Sequence, residues 1–193
     1  MATGKAERRE ALVRAAIDVI AEKGLSGTRI ADIGERSGIS PGQVLYYFDG
    51  KSDIFTRALR AIEDDLRDEA RAAFEARPGA AERWDWLVRH VAPTGPRDPR
   101  VLLWIQAWET ASRDAQVAEV VIELDRGWIA LLVELLEYGR STGEFHVEDP
   151  EEFAIRFSAL MDGLTLQVVA GSTAMDRPRM LEVCARAAAE LRR

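Results

Sequence analysis

Residues 28–51 read TRIADIGERSGISPGQVLYYFDGK. Ile30 and Ile33 are spaced to share one face of a short helix. Gly38 follows its last polar residues, where a left-handed residue closes a helix and glycine carries no Cβ penalty. Ile39 is an apolar plug inside the turn. Ser40 is placed as an N-cap, accepting from the amide of Gly42 or Gln43, and Pro41 takes the first helical position, where its missing N–H costs nothing. A second helix is thereby predicted from Pro41 to about Phe48, with Gly42, Gln43, Tyr46 and Tyr47 outward and Val44, Leu45 and Phe48 as inward anchors. Two short helices, a tight glycine turn, an aromatic cluster and a lysine make the pattern of a helix-turn-helix whose second helix enters the major groove of DNA.

Outward from this stretch, nearly every segment repeats with the helical period. Leu12, Val13, Ala16, Ile17, Ile20 and Ala21 mark a first helix over about residues 6–23, closed by Gly24. Asp53 opens a long helix through about Ala76, buried along Ile54, Phe55, Leu59, Ile62, Leu66 and Phe74, and ended by Pro78-Gly79. A helix carrying Trp84, Leu87, Val88 and Val91 follows, then a loop from Ala92 to Pro99. Further helices are expected over 101–112, 115–140, 150–170 and 176–191, with Ser141-Thr142-Gly143 and Gly171-Ser172-Thr173 as breaks. There is no extended alternating pattern, no repeat and no low-complexity tract. The fold expected is all-α, with about nine helices.

The chain has 193 residues, 47% of them hydrophobic, which is ample for a core. Its net charge of −7 is unevenly spread. Residues 1–60 carry ten basic and eight acidic side chains, a net +2, against sixteen and twenty-five in the remainder, a net −9. A mildly basic head on an acidic body is compatible with local phosphate contact. Cys184 is the only cysteine, which fits a reducing compartment. The charged N-terminus has no signal-like apolar segment, and the longest apolar run, Trp128 to Val133, is far below the roughly 18 residues a bilayer span needs. A cytoplasmic protein with no membrane contact is expected. The two histidines, His90 and His146, have no metal-ligand partner at i+3 or i+4, and no nucleophile–base set or phosphate loop is present. An enzyme is therefore disfavoured, and no cofactor or metal is expected.

Gly24, Thr28, Ile33-Gly34, Gly38-Ile39-Ser40, Gly42, Tyr46-Tyr47-Phe48 and Lys51 together resemble the signature of the TetR family of bacterial transcriptional repressors. The signature spans about residues 8–60. The resemblance implies a helix-turn-helix domain over residues 1–51 and a helical effector-binding and dimerisation domain over 52–193. It also implies roles. Lys51 meets a phosphate at a helix N-terminus, and Thr28, Ser40 and Tyr47 hydrogen-bond phosphates. Gln43 reads a base edge, Tyr46 meets a thymine methyl or a phosphate, and Gly42 lets the backbone approach. Three positions depart from the pattern. Leu45 stands where tyrosine is usual. Arg29 replaces a second hydroxyl residue and is a candidate for a phosphate or base edge. Gly34 replaces alanine, which weakens an interior helical position by roughly 1 kcal/mol.

The partners implied are a double-stranded DNA operator, a second copy of the chain and a small-molecule effector. Two reading helices must lie roughly 34 Å apart to meet successive major grooves, which calls for a homodimer. Its interface is expected from the last two long helices, at Phe157, Leu160, Met161, Leu164 and Val168 and at Met180, Leu181 and Cys184. These same stripes also suit the subunit's own core. Five tryptophans sit in the middle of the chain, and the effector pocket is expected around Leu103, Trp104, Gln106, Trp108 and Trp128. Aromatic walls with few polar groups suit an apolar or cationic ligand. The run LLWIQAWETASRD also resembles the effector domain of the subgroup that includes betaine-synthesis repressors. Two further readings stay open: a protein-interaction module with a degenerate helix-turn-helix, and a regulator without an effector.

Overall fold

The computed structural model describes residues 2–192. Among the described residues there are nine α-helices and a closing 3-10 turn. They are α1 (Ala2–Gly27), α2 (Ile30–Ser37), α3 (Pro41–Tyr47), α4 (Lys51–Glu75), α5 (Ala80–Val91), α6 (Pro99–Ala111), α7 (Ala115–Thr142), α8 (Pro150–Val169) and α9 (Arg177–Ala187), followed by the 3-10 turn Ala188–Arg192. The all-α expectation holds. The last helix is shorter than the expected 176–191, because the chain tightens into the 3-10 turn and the Leu191 carbonyl accepts from the His146 N–H at 2.7 Å. Among the described residues no helix is long and apolar enough to cross a membrane.

The chain divides into two compact units. The first holds the residues up to Asp65 together with Pro99–Leu124. Its core joins Leu12, Ala16 and Ile20 of α1, Ile33 of α2, Val44 and Phe48 around α3, Phe55 and Leu59 of α4, Leu103 and Ala107 of α6, and Val117 and Val120 of α7. The start of α7 is capped by Asp114, whose Oδ1 accepts from the Val117 N–H at 3.2 Å. The Ser52 hydroxyl donates to the other carboxylate oxygen at 2.7 Å. That bond is the main reason the Asp114 carboxyl titrates below the ordinary range.

The second unit holds Leu66–Asp98 and the chain from Asp125 onward. Trp84 is buried at its centre, with ring centroids 4.7 Å from Phe157, 5.8 Å from Phe153 and 6.3 Å from Phe145. Gly139 lies directly beneath the Phe145 ring, in space that any Cβ would contest. Helix α5 begins at Gly79, which has no side chain to cap it. Glu144 performs that task from a distance, accepting from the Ala80 N–H at 2.8 Å and the Ala81 N–H at 3.1 Å.

Candidate nucleic-acid interface and effector region

The turn between α2 and α3 is built as its residues require. Gly38 adopts φ 72° and closes α2, and the Ile39 N–H returns to the Gly34 carbonyl at 2.9 Å. A Cβ at Gly34 would lie 2.6 Å from the Ile39 carbonyl oxygen, so the missing side chain allows this close approach. The helix-propensity cost of glycine at this position is offset by a turn that alanine would have to open. At the start of α3, Ser40 Oγ accepts from the Gln43 N–H at 3.3 Å, and Gln43 Oε1 accepts from the Ser40 N–H at 3.2 Å. This reciprocal pair is a capping box.

Helix α3 is anchored by Val44 and Phe48, four residues apart and both buried. Gly42, Gln43 and Tyr46 are exposed and Tyr47 is half-buried. Leu45 is not the inward anchor expected from sequence: it is 54% exposed. A step of 100° from Val44 carries it off the buried line onto the outer face.

The expected contact residues divide by what they already do. Thr28 is 3% exposed, and its hydroxyl donates to the Gly24 carbonyl at 2.7 Å. It stabilises the corner between α1 and α2 and does not present a hydroxyl to a phosphate, because the Gly24 carbonyl takes both its hydroxyl and its backbone N–H, the latter at 3.0 Å. Arg29 is exposed at the N-cap of α2, and its backbone N–H is taken by Asp32 at 2.8 Å. Asp32 also accepts from Lys23 at 2.8 Å, and that bond holds its carboxyl below the usual carboxylate range. Lys51 opens α4 and donates to the carbonyls of Thr28 at 3.0 Å and Ser26 at 3.3 Å, which leaves its third N–H for another acceptor. Gln43 keeps its amide oxygen in the capping box, with the amide nitrogen left to donate. Lys5 sits 4.9 Å above the exposed ring of Tyr46, adding positive charge beside α3.

A feature invisible in the sequence ties this head together. Gly24 has φ 74° and ψ 156°, so the first helical run of α1 closes at Gly24 as expected, and a short second run carries α1 on to Gly27 beyond the kink. Gln106 of α6 spans it. Its Oε1 accepts from the Leu25 N–H, and its Nε2 donates to the carbonyls of Leu102 at 3.2 Å and Ile20 at 3.4 Å. Gln106 is therefore committed to α1, and Leu103 is fully buried beside it in the first unit's core, so neither is the pocket wall expected from sequence.

The other expected pocket residues are more available. Trp104 is half-buried and Trp108 is 38% exposed, their rings 6.3 Å apart. In the second unit, Trp128 Nε1 donates to Ser158 Oγ at 3.0 Å. On the same two helices, Asp162 has its carboxyl pushed up to about 6 by burial, aided by repulsion from Asp125. Gly127, next to Trp128, has the Arg67 guanidinium where a Cβ would stand.

The dimer residues expected from sequence divide by burial. Phe157, Met161, Leu164 and Val168 of α8 and Met180 and Cys184 of α9 are buried in the subunit's own core, and Leu160 and Leu181 are half-buried against it. Cys184 Sγ lies 3.2 Å from Met161 Sδ, and burial pushes its thiol up to about 11. The large apolar side chains that α8 exposes are Ile155 and Leu166, with Gly163 between them.

Residues 12–58 match the family of bacterial regulatory proteins of the tetR type, and residues 78–193 match the C-terminal domain of BetI-type transcriptional repressors. The HTH-type transcriptional regulator BetI of Rhizobium meliloti (strain 1021) is 29% identical over 161 residues, covering 83% of this chain and 77% of that protein. Its counterpart from Escherichia coli O17:K52:H18 (strain UMN026 / ExPEC) is 28% identical over 178 residues, covering 89% and 87%. Among solved structures, a transcriptional regulator from Saccharomonospora viridis in complex with choline superimposes with a TM-score of 0.86 at 28% identity, covering 95% of this chain and 96% of that one. The chain belongs to the TetR family of bacterial transcriptional regulators, with a C-terminal domain of the BetI type, and is a ligand-responsive DNA-binding regulator and not an enzyme.

Proposed function

We propose that this chain is a cytoplasmic repressor that binds a pseudopalindromic operator as a homodimer and is released by a small cation carrying apolar groups, such as choline. The head over residues 1–51 supplies the DNA contacts, through Arg29, Ser40, Gly42, Gln43, Tyr46, Tyr47 and Lys51. The remainder supplies dimer and effector contacts. Dimerisation uses the outer face of α8, where Ile155, Gly163 and Leu166 are exposed. The observation that carries the effector class is the group formed by Trp128, Ser158, Asp125 and Asp162. An aromatic face attracts a quaternary ammonium, and a carboxylate held half-buried against another of like charge is relieved by a cation. The choline bound by the Saccharomonospora viridis regulator supports the same class.

Release is a population shift. The effector must bind the DNA-incompetent arrangement substantially better than the competent one, because equal affinity shifts nothing. Helices α4 and α7 each contribute residues to both compact units and are the covalent route for that shift.

Two predictions follow from the site residues. The first concerns Asp162. A carboxyl whose folded pKa lies above its unfolded value contributes stability that is complete below about pH 4 and lost as pH rises through about 6. Asp162→Asn removes that loss. Thermal unfolding should show the variant more stable than the parent at about pH 8, with the margin shrinking as pH falls toward 4. The same variant, like Trp128→Phe, should lose the tryptophan-fluorescence response to choline. An undiminished response in both variants would exclude this site.

The second separates positioning from reading. Lys51→Ala should weaken binding to all DNA alike and lower the salt slope of log affinity by about one unit. Gln43→Ala should leave the slope and relax base preference, since it removes the amide nitrogen that is left to donate to a base edge. Salt titrations of fluorescence anisotropy on operator and random duplexes measure both. Identical losses on both duplexes for both variants would remove Gln43 from the reading role.

A further inference from the structure

Two neighbouring side chains tie the first turn of α4 to other parts of the head. Lys51 Nζ donates to the carbonyls of Thr28 at 3.0 Å and Ser26 at 3.3 Å. The next residue, Ser52, donates its hydroxyl to Asp114 Oδ2 at 2.7 Å. Asp53 turns instead to its own stretch of chain, accepting from the Asp49 N–H at 3.2 Å and from Arg57 Nε at 2.7 Å. The link from α3 does little to fix this turn. Gly50 stands in it with φ 138°, a backbone region that side chains rarely enter and glycine crosses freely. Ile54 and Phe55 are buried and fix which face of α4 meets the core. Burial is non-directional, whereas a hydrogen bond is directional and so sets the rotation and axial position of the turn.

Asp114 is a firm anchor for that bond. Its N–H donates to the Thr110 carbonyl of α6 at 3.0 Å, and its own carbonyl accepts from the Ala118 N–H of α7 at 2.9 Å. Its Oδ1 accepts from the Val117 N–H at 3.2 Å, which leaves Oδ2 for Ser52. An ionised carboxylate only accepts, so the Ser52 hydroxyl has one way to meet it. Lys51 and Ser52 are adjacent, about 1.5 Å apart along the helix axis and roughly 100° around it, so holding one places the backbone of the other. We propose that Asp114 is a positioning residue for the phosphate contact of Lys51, acting through the Ser52 hydroxyl. The inference rests on Lys51 meeting a phosphate. The carbonyls of Ser26 and Thr28 hold its ammonium, Ser52 holds the backbone behind it, and the third N–H is thereby aimed at the DNA.

The test is the salt dependence of binding to a random duplex by the full-length protein and its variants Lys51→Ala, Ser52→Ala, Ser52→Thr and Asp114→Ser. Serine at 114 keeps an oxygen that caps α7 but is too short to cap and meet Ser52 together. Lys51→Ala should lower the salt slope of log affinity by about one unit. Ser52→Ala and Asp114→Ser should lower it toward the same value, and Ser52→Thr, which keeps the hydroxyl, should keep the parent slope. Added to Lys51→Ala, Ser52→Ala should change the slope no further. A purely structural role would lower thermal stability and leave the slope alone, so a parent slope in either Ser52→Ala or Asp114→Ser would overturn the proposal. So would a further drop when Ser52→Ala is added to Lys51→Ala. A parent slope in Lys51→Ala would instead overturn the phosphate contact itself, and the positioning role with it.

Discussion

Trp84→Ala is expected to lower the unfolding free energy by about 3–5 kcal/mol, the range for deleting a large aromatic side chain from a packed core. Trp84 is 2% exposed, and three phenylalanines from two other parts of the chain converge on it. Removing the indole leaves Phe145, Phe153 and Phe157 without a common partner. Phe145 is in turn held over Gly139, so it has little freedom to close the cavity from that side. The loss should therefore approach the upper part of the range. Because Trp84 lies in the second unit, the head keeps its own core. Denaturant unfolding followed by circular dichroism should show the low-denaturant transition of the variant confined to part of the helical signal, or a single transition at a much lower midpoint. A midpoint within error of the parent would mean that Trp84 is not the centre of that core.

Gln106→Leu is expected to cost about 1–3 kcal/mol, because it leaves the Leu25 N–H at the α1 break without an acceptor. The break itself is imposed by Gly24 and remains in the variant. Leucine matches the volume of glutamine approximately, so cavity formation is minor and the loss reports the missing hydrogen bonds. Gln106→Glu keeps the acceptor oxygen and should recover part of the stability, while losing the donations to Ile20 and Leu102. Operator affinity should fall with stability across this pair, since α1 forms the base on which α2 packs, and α2 in turn carries α3. Wild-type stability in Gln106→Leu would show that α6 does not hold the break.

The reading helix was legible in sequence because its signals are local. Ser40-Pro41 states where α3 begins, Gly38 where α2 ends, and Val44 and Phe48 repeat at one helical turn. Leu45 was misjudged because a seven-residue helix offers barely two turns, too few for the period to separate an inward from an outward apolar residue. Thr28 escapes the period for a different reason: its hydroxyl and its N–H both turn back to the Gly24 carbonyl, at a corner made by the positive φ of Gly24. Gln106 and Glu144 act across more than sixty residues, on backbone groups freed by a kink and an uncapped helix, and no periodicity reports such partners. On α8 the apolar stripe was correctly found. What the period does not encode is whether such a stripe meets its own subunit or a second one, and here the wider face packs inward.

The departures from the family pattern also separate by physics. Gly34 is explained by the approach of the Ile39 carbonyl, and Arg29 by a helix start whose capping is done by Asp32. Leu45, which is 54% exposed, has no such internal explanation.

The most direct test is selection of binding sequences from a random duplex pool by the purified protein at near-physiological salt. A pseudopalindrome with half-sites about one helical turn apart is the predicted result, the spacing that two copies of α3 in a dimer require. Salt-sensitive retention of duplexes with no enriched sequence would contradict it, leaving only phosphate attraction and no reading helix.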